Sequence, residues 1–166
     1  LSVATLGTIK VDVATQLGST DGASSVAKRD RAINAARREF YGAYKWSFLF
    51  KSDSVTITSQ LGDLPATYNE KWDPEEVYTY TGTTKYCYAK VDWDEVDSFD
   101  SSSYVYAISK EDGQIKINQT TVASVTFNYY HLPADAPIDT TQDATTEPAG
   151  DITPIVLNAI GRWWLT

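Results

Sequence analysis

Nucleophiles, imidazoles and clustered carboxylates are the groups that do chemistry, and this chain has few of them. It contains one histidine, His131, and one cysteine, Cys87. Zinc takes about four ligands, and the pair supplies two. A single imidazole excludes multi-histidine metal sites and leaves little room for histidine catalysis. No G-x-S-x-G elbow is present to activate a serine. Gly7, Gly18, Gly22 and Gly42 are isolated, so no glycine-rich loop cradles a phosphate. His131 ends a strand-like run after Tyr129-Tyr130 and reads as a structural or surface histidine. Cys87, between Tyr86 and Tyr88, reads as a reduced, small filler in a strand. Neither a catalytic residue, nor a metal, nor a cofactor is expected.

The carboxylates cluster at Asp92, Asp94, Glu95, Asp97 and Asp100. A calcium loop needs oxygen ligands at alternate positions, a glycine at its sharp turn and a closing glutamate. Here Val96 and Asp97 occupy the third-ligand and glycine positions, and Ser103 stands where the glutamate belongs. The run therefore reads as a solvated acidic face, with a weak cation site as the alternative. Tyr78, Tyr80, Tyr86, Tyr88, Tyr104, Tyr106, Tyr129 and Tyr130 all lie in strand-like segments. They could stack on sugars, as in a carbohydrate-binding β module, or face a half-buried sheet.

Two constellations suit protein contacts. Lys28, Arg29, Arg31, Arg37 and Arg38 lie mostly off the apolar stripe of a helix, with Asp30 and Glu39 among them. This face could be solvated and locally paired, dock on an acidic protein surface, or touch phosphates. Trp163 and Trp164 point about 100° apart on one helix, so they cannot share a face. One can enter the core while the other anchors a partner.

The elements that must position these groups change character along the chain. Leu6, Ile9, Val13 and Leu17 fall on one helical face, with Gly18 placed to end the helix. Residues 9–13 also alternate like a strand, but the helix explains more positions. Residues 19–24 are turn chemistry, after which Ser24 or Ser25 can cap a second helix. Val26, Ile33, Ala36, Phe40 and Ala43 or Tyr44 repeat at helical spacing. The apolar run Trp46 to Phe50 must fold back onto the core. Ile33, Phe40, Trp46, Phe48 and Leu49 are thus the expected core of the second helix and its continuation.

From Ser54 the period becomes two. Strands are expected at Val55–Ile57, 77–80, 86–88, 104–109, 114–117 and 122–130, with Leu61 to Pro65 as a break. Asp112-Gly113 signals a type I′ hairpin, and the succession suggests a meander. Asp92 to Asp100 reads as a short acidic helix or loop. Residues 132–150, with Pro133, Pro137 and Pro148, form an extended arm. A last helix starts near Thr153 as cap, with Pro154 at its first position and Ile152 stapled to Leu157. Its apolar residues cover nearly the whole circumference, so it needs burial on most sides, within its own domain or against a neighbour.

The chain has 166 residues, 42% of them hydrophobic, which suits a folded domain with a real core. One cysteine cannot staple a secreted miniprotein. No apolar run approaches the roughly 20 residues of a membrane span, and no signal-peptide pattern opens the chain. Met is absent, so the initiator is not in this sequence. Arg162 to Thr166 carry no cap or breaker, and the helix is expected to continue past Thr166. Residues 1–50 carry seven Lys/Arg and four Asp/Glu, a net of +3, which leaves −11 on residues 51–166. That balance argues against general nucleic-acid binding and permits charge-matched protein docking.

The segment Arg29-Asp30-Arg31-Ala32-Ile33-Asn34-Ala35-Ala36-Arg37-Arg38-Glu39-Phe40, followed by Trp46-Ser47-Phe48-Leu49, resembles the second helix of phage head–tail adaptor proteins. These read as an Ile-Asn-x-Ala helix closing on Trp-x-Phe-Leu. The run Phe127 to Ala134, the arm Asp139 to Pro148 and the helix Ile152 to Trp164 resemble the family's later segments. Residues 84–103 fall outside the resemblance.

The resemblance implies an α+β fold within a single adaptor domain spanning 1–166. A small α-helical bundle, two N-terminal helices plus a C-terminal helix, would carry an inserted antiparallel β-sheet region. The expected divisions are 1–50, 51–131, 132–150 and 151–166. It implies a structural virion protein, with no catalysis, no cofactor and no membrane partner. Made in the host bacterial cytoplasm, it would reside in the neck, in a homo-oligomeric ring of commonly twelve copies beneath the portal protein ring. That ring would extend the DNA channel, pass genomic DNA without specific binding, and offer a platform to a tail, nozzle or stopper protein. Arg29, Arg31, Arg37, Arg38, Trp163 and Trp164 are the expected contacts to portal or neighbouring subunit.

Overall fold

The computed structural model describes residues 5–18, 23–133, 147–149 and 151–165, with backbone alone at 23–25. The fold is mixed α+β. It divides into a helical unit, from residues 1–49 and 132–166, and a β unit, Phe50–His131.

In the helical unit, α1 spans Leu6–Leu17. Thr5 Oγ1 accepts a hydrogen bond from the Thr8 amide at 3.2 Å, satisfying one of the free donors at the helix start. Gly18, at φ 58°, closes the other end in the left-handed conformation that glycine adopts without a Cβ clash. Leu6, Ile9 and Val13 are buried while Val11 is exposed, so the helical period prevails over the strand-like alternation.

Helix α2 spans Ala23–Ala43. Ser24 and Ser25 therefore lie inside its first turn and not before it; the turn at 19–22 lies outside the described residues. Helix α3 spans Thr153–Leu165. Its start is one residue earlier than the capping pattern suggests: Asp151 Oδ1 accepts from the Thr153 amide at 2.9 Å, and the Ile155 and Val156 amides both reach the Ile152 carbonyl. Pro154 is thus the second helical residue. The three helices contact one another pairwise and bury Ile33, Ala36, Ile155, Val156 and Ala159. Of the arm, residues 134–146 lie outside the described residues.

In the β unit, β1 (Phe50–Thr56), β8 (Ser124–Tyr130), β3 (Glu76–Thr81) and β4 (Thr84–Cys87) form one antiparallel sheet in that order. A second sheet runs β2 (Leu61–Asp63), β7 (Gln114–Ile117), β6 (Val105–Ser109) and β5 (Ala89–Lys90). The meander expectation is overturned, because β8 enters between β1 and β3 and consecutive strands are not always neighbours. Antiparallel pairing is also not universal: β5 and β6 are parallel. The physical reason for the central place of β8 is its alternation. Val125, Phe127 and Tyr129 are buried at every second position, with Val55 opposite Val125 and Val77 opposite Phe127. Both sheets contribute to one core, which includes Val55, Val77, Tyr106, Ile115, Ile117 and Phe127.

The segment expected to break the first strand forms β2. It is reached by a two-residue turn in which Ser59 and Gln60 both have positive φ, 51° and 69°, the pattern of a type I′ hairpin. Asn-Gly normally announces that turn. Here tertiary contacts hold it: Gln60 Nε2 donates to the Ile117 and Asn118 carbonyls at 3.1 and 3.0 Å, and the Ile117 amide donates to the Gln60 carbonyl. At the expected type I′ site, Ser109 pairs with Gln114 across a four-residue loop. Of its residues only Gly113 has positive φ, so a longer turn replaces the type I′ one. The segment 86–88 also differs from one continuous strand. β4 ends at Cys87, and the chain passes through Tyr88 into β5 of the other sheet.

Candidate functional site

The candidate contact residues of the helical unit lie on α2, the run after it, and α3. Trp46 is stacked between Phe40 and Phe48, with ring centroids 5.0 and 5.6 Å away and planes within 22° and 17°. Its indole N–H donates to the Phe40 carbonyl at 2.9 Å, satisfying a carbonyl near the helix end. The Trp-x-Phe-Leu spacing thus folds the chain back on α2, and Leu49 is buried. Ile33 is also core. Phe40 and Trp46 are half-buried, and Phe48, expected in the core, is 40% exposed because it forms the outer layer of the stack.

Arg37 requires a correction. It is not on the free basic face but buried, on the same inward stripe as Asp30, Ile33 and Tyr41. Its Nε lies 3.0 Å from Oε1 of buried Glu147 and donates to Oε2 at 3.2 Å. The Tyr41 hydroxyl donates to the same Oε2 at 2.6 Å. Burial, reinforced by that carboxylate, pushes the Tyr41 phenol well above its ordinary range. A carboxylate from the far end of the arm is thereby pinned to α2 beside a cation, where neither charge faces water. Sequence reasoning missed Glu147 and Tyr41, since neither stands in a motif.

The other basic residues sort by exposure. Arg29 is half-buried, with Nε 3.1 Å from Asp30 Oδ1. Arg31 and Arg38 are exposed. Together with Lys28 and Arg162 they line a groove of about 660 Å³ whose other lining residues are Ala32, Ala35 and Leu165. Arg162 donates to Asn158 Oδ1 at 2.8 Å and pairs with Glu39. Hydrogen bonding from Arg162 holds the Glu39 carboxyl below its usual range.

The two adjacent indoles separate as their 100° offset requires. Trp163 is half-buried beneath Lys28, whose Nζ lies 4.8 Å from its ring centroid, a cation–π contact. Trp164 is 73% exposed, with Leu157 at 59% and Leu165 at 87%. Leu157, Gly161 and Trp164 follow i, i+4, i+7 spacing, so α3 presents one apolar stripe outward. Leu157, expected to staple inward, belongs to that exposed stripe.

The remaining candidates carry no assembled chemistry. Cys87 is exposed and not a buried filler. Its thiol lies 3.4 Å from Glu76 Oε1, and this carboxylate raises its pKa, which disfavours the nucleophilic thiolate. His131 is half-buried and pairs through its backbone with Tyr68. The acidic run forms a 3-10 helix, Trp93–Ser98, in which Asp97 meets Lys116 Nζ at 2.5 Å. Among the described residues no group of three His, Cys, Asp or Glu is placed to hold a metal, and no helix is long and apolar enough to cross a membrane. Tyr88, Tyr106 and Tyr129 are buried, and Tyr86 stacks on Tyr104 at 4.7 Å. Tyr88 meets Tyr104 edge-on and Tyr129 meets Tyr68 and Phe127, while Tyr80 is 58% exposed.

An exposed apolar stripe on α3 and a cationic groove lined from α2 and α3 thus share the helical unit. The chain matches the SU10 adaptor protein family over residues 4–164 and belongs to it, so its role is that of a phage adaptor, a structural virion protein. No curated protein matches the chain.

Proposed function

We propose that this chain is the head–tail adaptor of a tailed phage, joining a ring of commonly twelve copies beneath the portal and extending the DNA channel. The ring offers the next tail component, whether tube, nozzle or stopper, its attachment platform. The observation that carries this reading is the outward stripe of Leu157, Trp164 and Leu165 on α3 in a chain of an adaptor family. Exposed apolar residues clustered on one helix face mark an interaction surface, and tryptophan is a frequent anchor. Arg31 and Arg38 line the groove, Trp163 lies beneath Lys28, and with Arg29 they serve as further portal or neighbour contacts. Arg37, being buried with Glu147, serves the fold of the unit.

The charge distribution supports passage of DNA without gripping. Residues 50–131 carry six Lys and no Arg against 13 Asp/Glu, a net of −7, and like charges disfavour phosphate binding. The reading places the protein in the virion neck, after synthesis in the host cytoplasm, with no catalytic step and no cofactor.

Mixing the chain with its portal ring and weighing the product by native mass spectrometry tests this. One bound copy per portal subunit is expected, and W164A together with L157S lowers that occupancy about tenfold or more, as loss of an anchor residue does. A portal ring that takes up no wild-type chain overturns the proposal.

A further inference from the structure

We infer that the groove lined by Lys28, Arg31, Arg38 and Arg162 receives the acidic turn around Trp93–Ser98 of a second copy of this chain. The inference rests on the adaptor reading and names one of the contacts that would close its ring.

The groove has four cationic side chains on its walls, of which Arg162 also pairs with Glu39 and Lys28 lies over Trp163, with Ala32, Ala35 and Leu165 as apolar lining and no acidic lining residue. It therefore suits a ligand that combines carboxylates with an apolar side chain. The turn has that character. Asp92, Asp94, Glu95 and Asp100 are exposed, Phe99 is 39% exposed among them, and no Lys or Arg occurs between Val91 and Ser109.

The turn is also held still. Val96 is fully buried with Val105 and Ala107, and Trp93 packs against that cluster. Lys116 fixes Asp97 from below. A rigid acidic turn loses little freedom on docking, which favours association.

Groove and turn are different surfaces of the same chain. A contact between them is head-to-tail, the kind that builds closed rings. Opposite potentials also suppress wrong partners and fix the register between copies.

Two full-length variants test the contact. R31E with R38E reverses the groove, and D94K with E95K reverses the turn. All four residues are exposed, and circular dichroism verifies that each variant is folded. Each is added to portal rings at sub-saturating ratio, and the distribution of bound copies is read by native mass spectrometry.

Wild type should fill rings all-or-none, because each bound copy recruits its neighbour. Each variant alone should distribute statistically, with neighbour association weaker by on the order of a hundredfold, since like charges then face each other. A one-to-one mixture of the two should restore all-or-none filling, because reversed groove and reversed turn are again complementary.

Variants that fill like wild type, or a mixture that fails to recover, overturn the contact while leaving the adaptor reading intact. Wild type that never binds the portal overturns both. Groove reversal that abolishes portal binding while neighbour association in the chain alone is unchanged assigns the groove to the portal instead. If it abolishes only binding to duplex DNA, the groove belongs to phosphate.

Discussion

In the β unit, Tyr68, Tyr88, Tyr106, Phe127 and Tyr129 are all at most 8% exposed, whereas in the helical unit Tyr44, Phe48, Trp164 and Leu165 are 40% exposed or more. Strands bury alternate residues against two neighbours and a second sheet, so the β unit covers most of its rings and leaves Phe50, Tyr80 and Phe99 at its surface. Helix α3 is apolar nearly all round, and only one side of it, with Ile155, Val156 and Ala159, is buried. On the proposed reading, partners cover the helical unit, whose terminal helix exposes Leu157, Trp164 and Leu165 along one face. The polar content is opposite too. The β unit keeps a net of −7 on its surface, while the helical unit buries a Glu147–Arg37 pair.

The largest test of this contrast is alkaline pH. Burial raises the phenols of Tyr88, Tyr106 and Tyr129 to about 12, and raises Tyr68 as well. An unfolded tyrosine ionises near 10. A phenol with a raised folded pKa contributes stability that is fully present below pH about 10 and is lost as pH rises through about 12. The β unit, with four such groups against Tyr41 in the helical unit, should unfold first. Tyrosinate absorbance and amide hydrogen exchange at pH 10–12 follow the order, and simultaneous unfolding would erase the distinction.

Next come two truncations of similar size but different mechanism. E147A should destabilise the helical unit by about 3–5 kcal/mol, because Arg37 stays buried without its carboxylate. F127A should cost the β unit about 3–5 kcal/mol through a cavity in the core. Urea unfolding with separate tryptophan and far-UV signals reads each. If E147A costs no more than a surface change, the buried pair does not anchor the arm.

A smaller loss is expected from G62A. A Cβ there would lie 2.6 Å from the Thr56 carbonyl oxygen and 2.8 Å from Val55 and Ile57 side-chain carbons. Overpacking of this kind costs about 1–3 kcal/mol. The smallest change runs the other way. S59G should stabilise the β unit by roughly 1 kcal/mol, since Ser59 sits in left-handed backbone where a Cβ is unfavourable. A lowered midpoint in S59G would show that the serine side chain holds the turn.

Legibility followed the range of the forces. α1 was readable because its period and its terminal glycine are local. So was the Trp-x-Phe-Leu closure, whose three rings, Phe40, Trp46 and Phe48, stack within nine residues of sequence. Two failures had one cause. Asp30, Asn34 and Arg37 look like solvent-facing residues, but they lie on the buried side of α2, and Arg37 is satisfied there by Glu147 from the far end of the arm. Ser59-Gln60 lacks a turn signature, because its stabilising partners, Ile117 and Asn118, come from the far end of the unit.

The candidate surface was half visible. Trp163 and Trp164 announce by adjacency that they must part. Which of them faces outward depends on Lys28 and the packing of α3 on α2.

Composition and local pattern by themselves determined an acidic chain with helices at its ends and strands between, an overly apolar last helix, and a basic second one. Those properties reside in residue type and near-neighbour spacing. Tertiary structure alone decided which arginine is buried and which leucine is exposed, where β8 inserts, and which cations share a groove. A side chain's burial and its partners are set by segments distant along the chain, 110 residues for Arg37 and Glu147, and the cost of leaving a charge unpaired or a ring exposed is settled only when those segments meet.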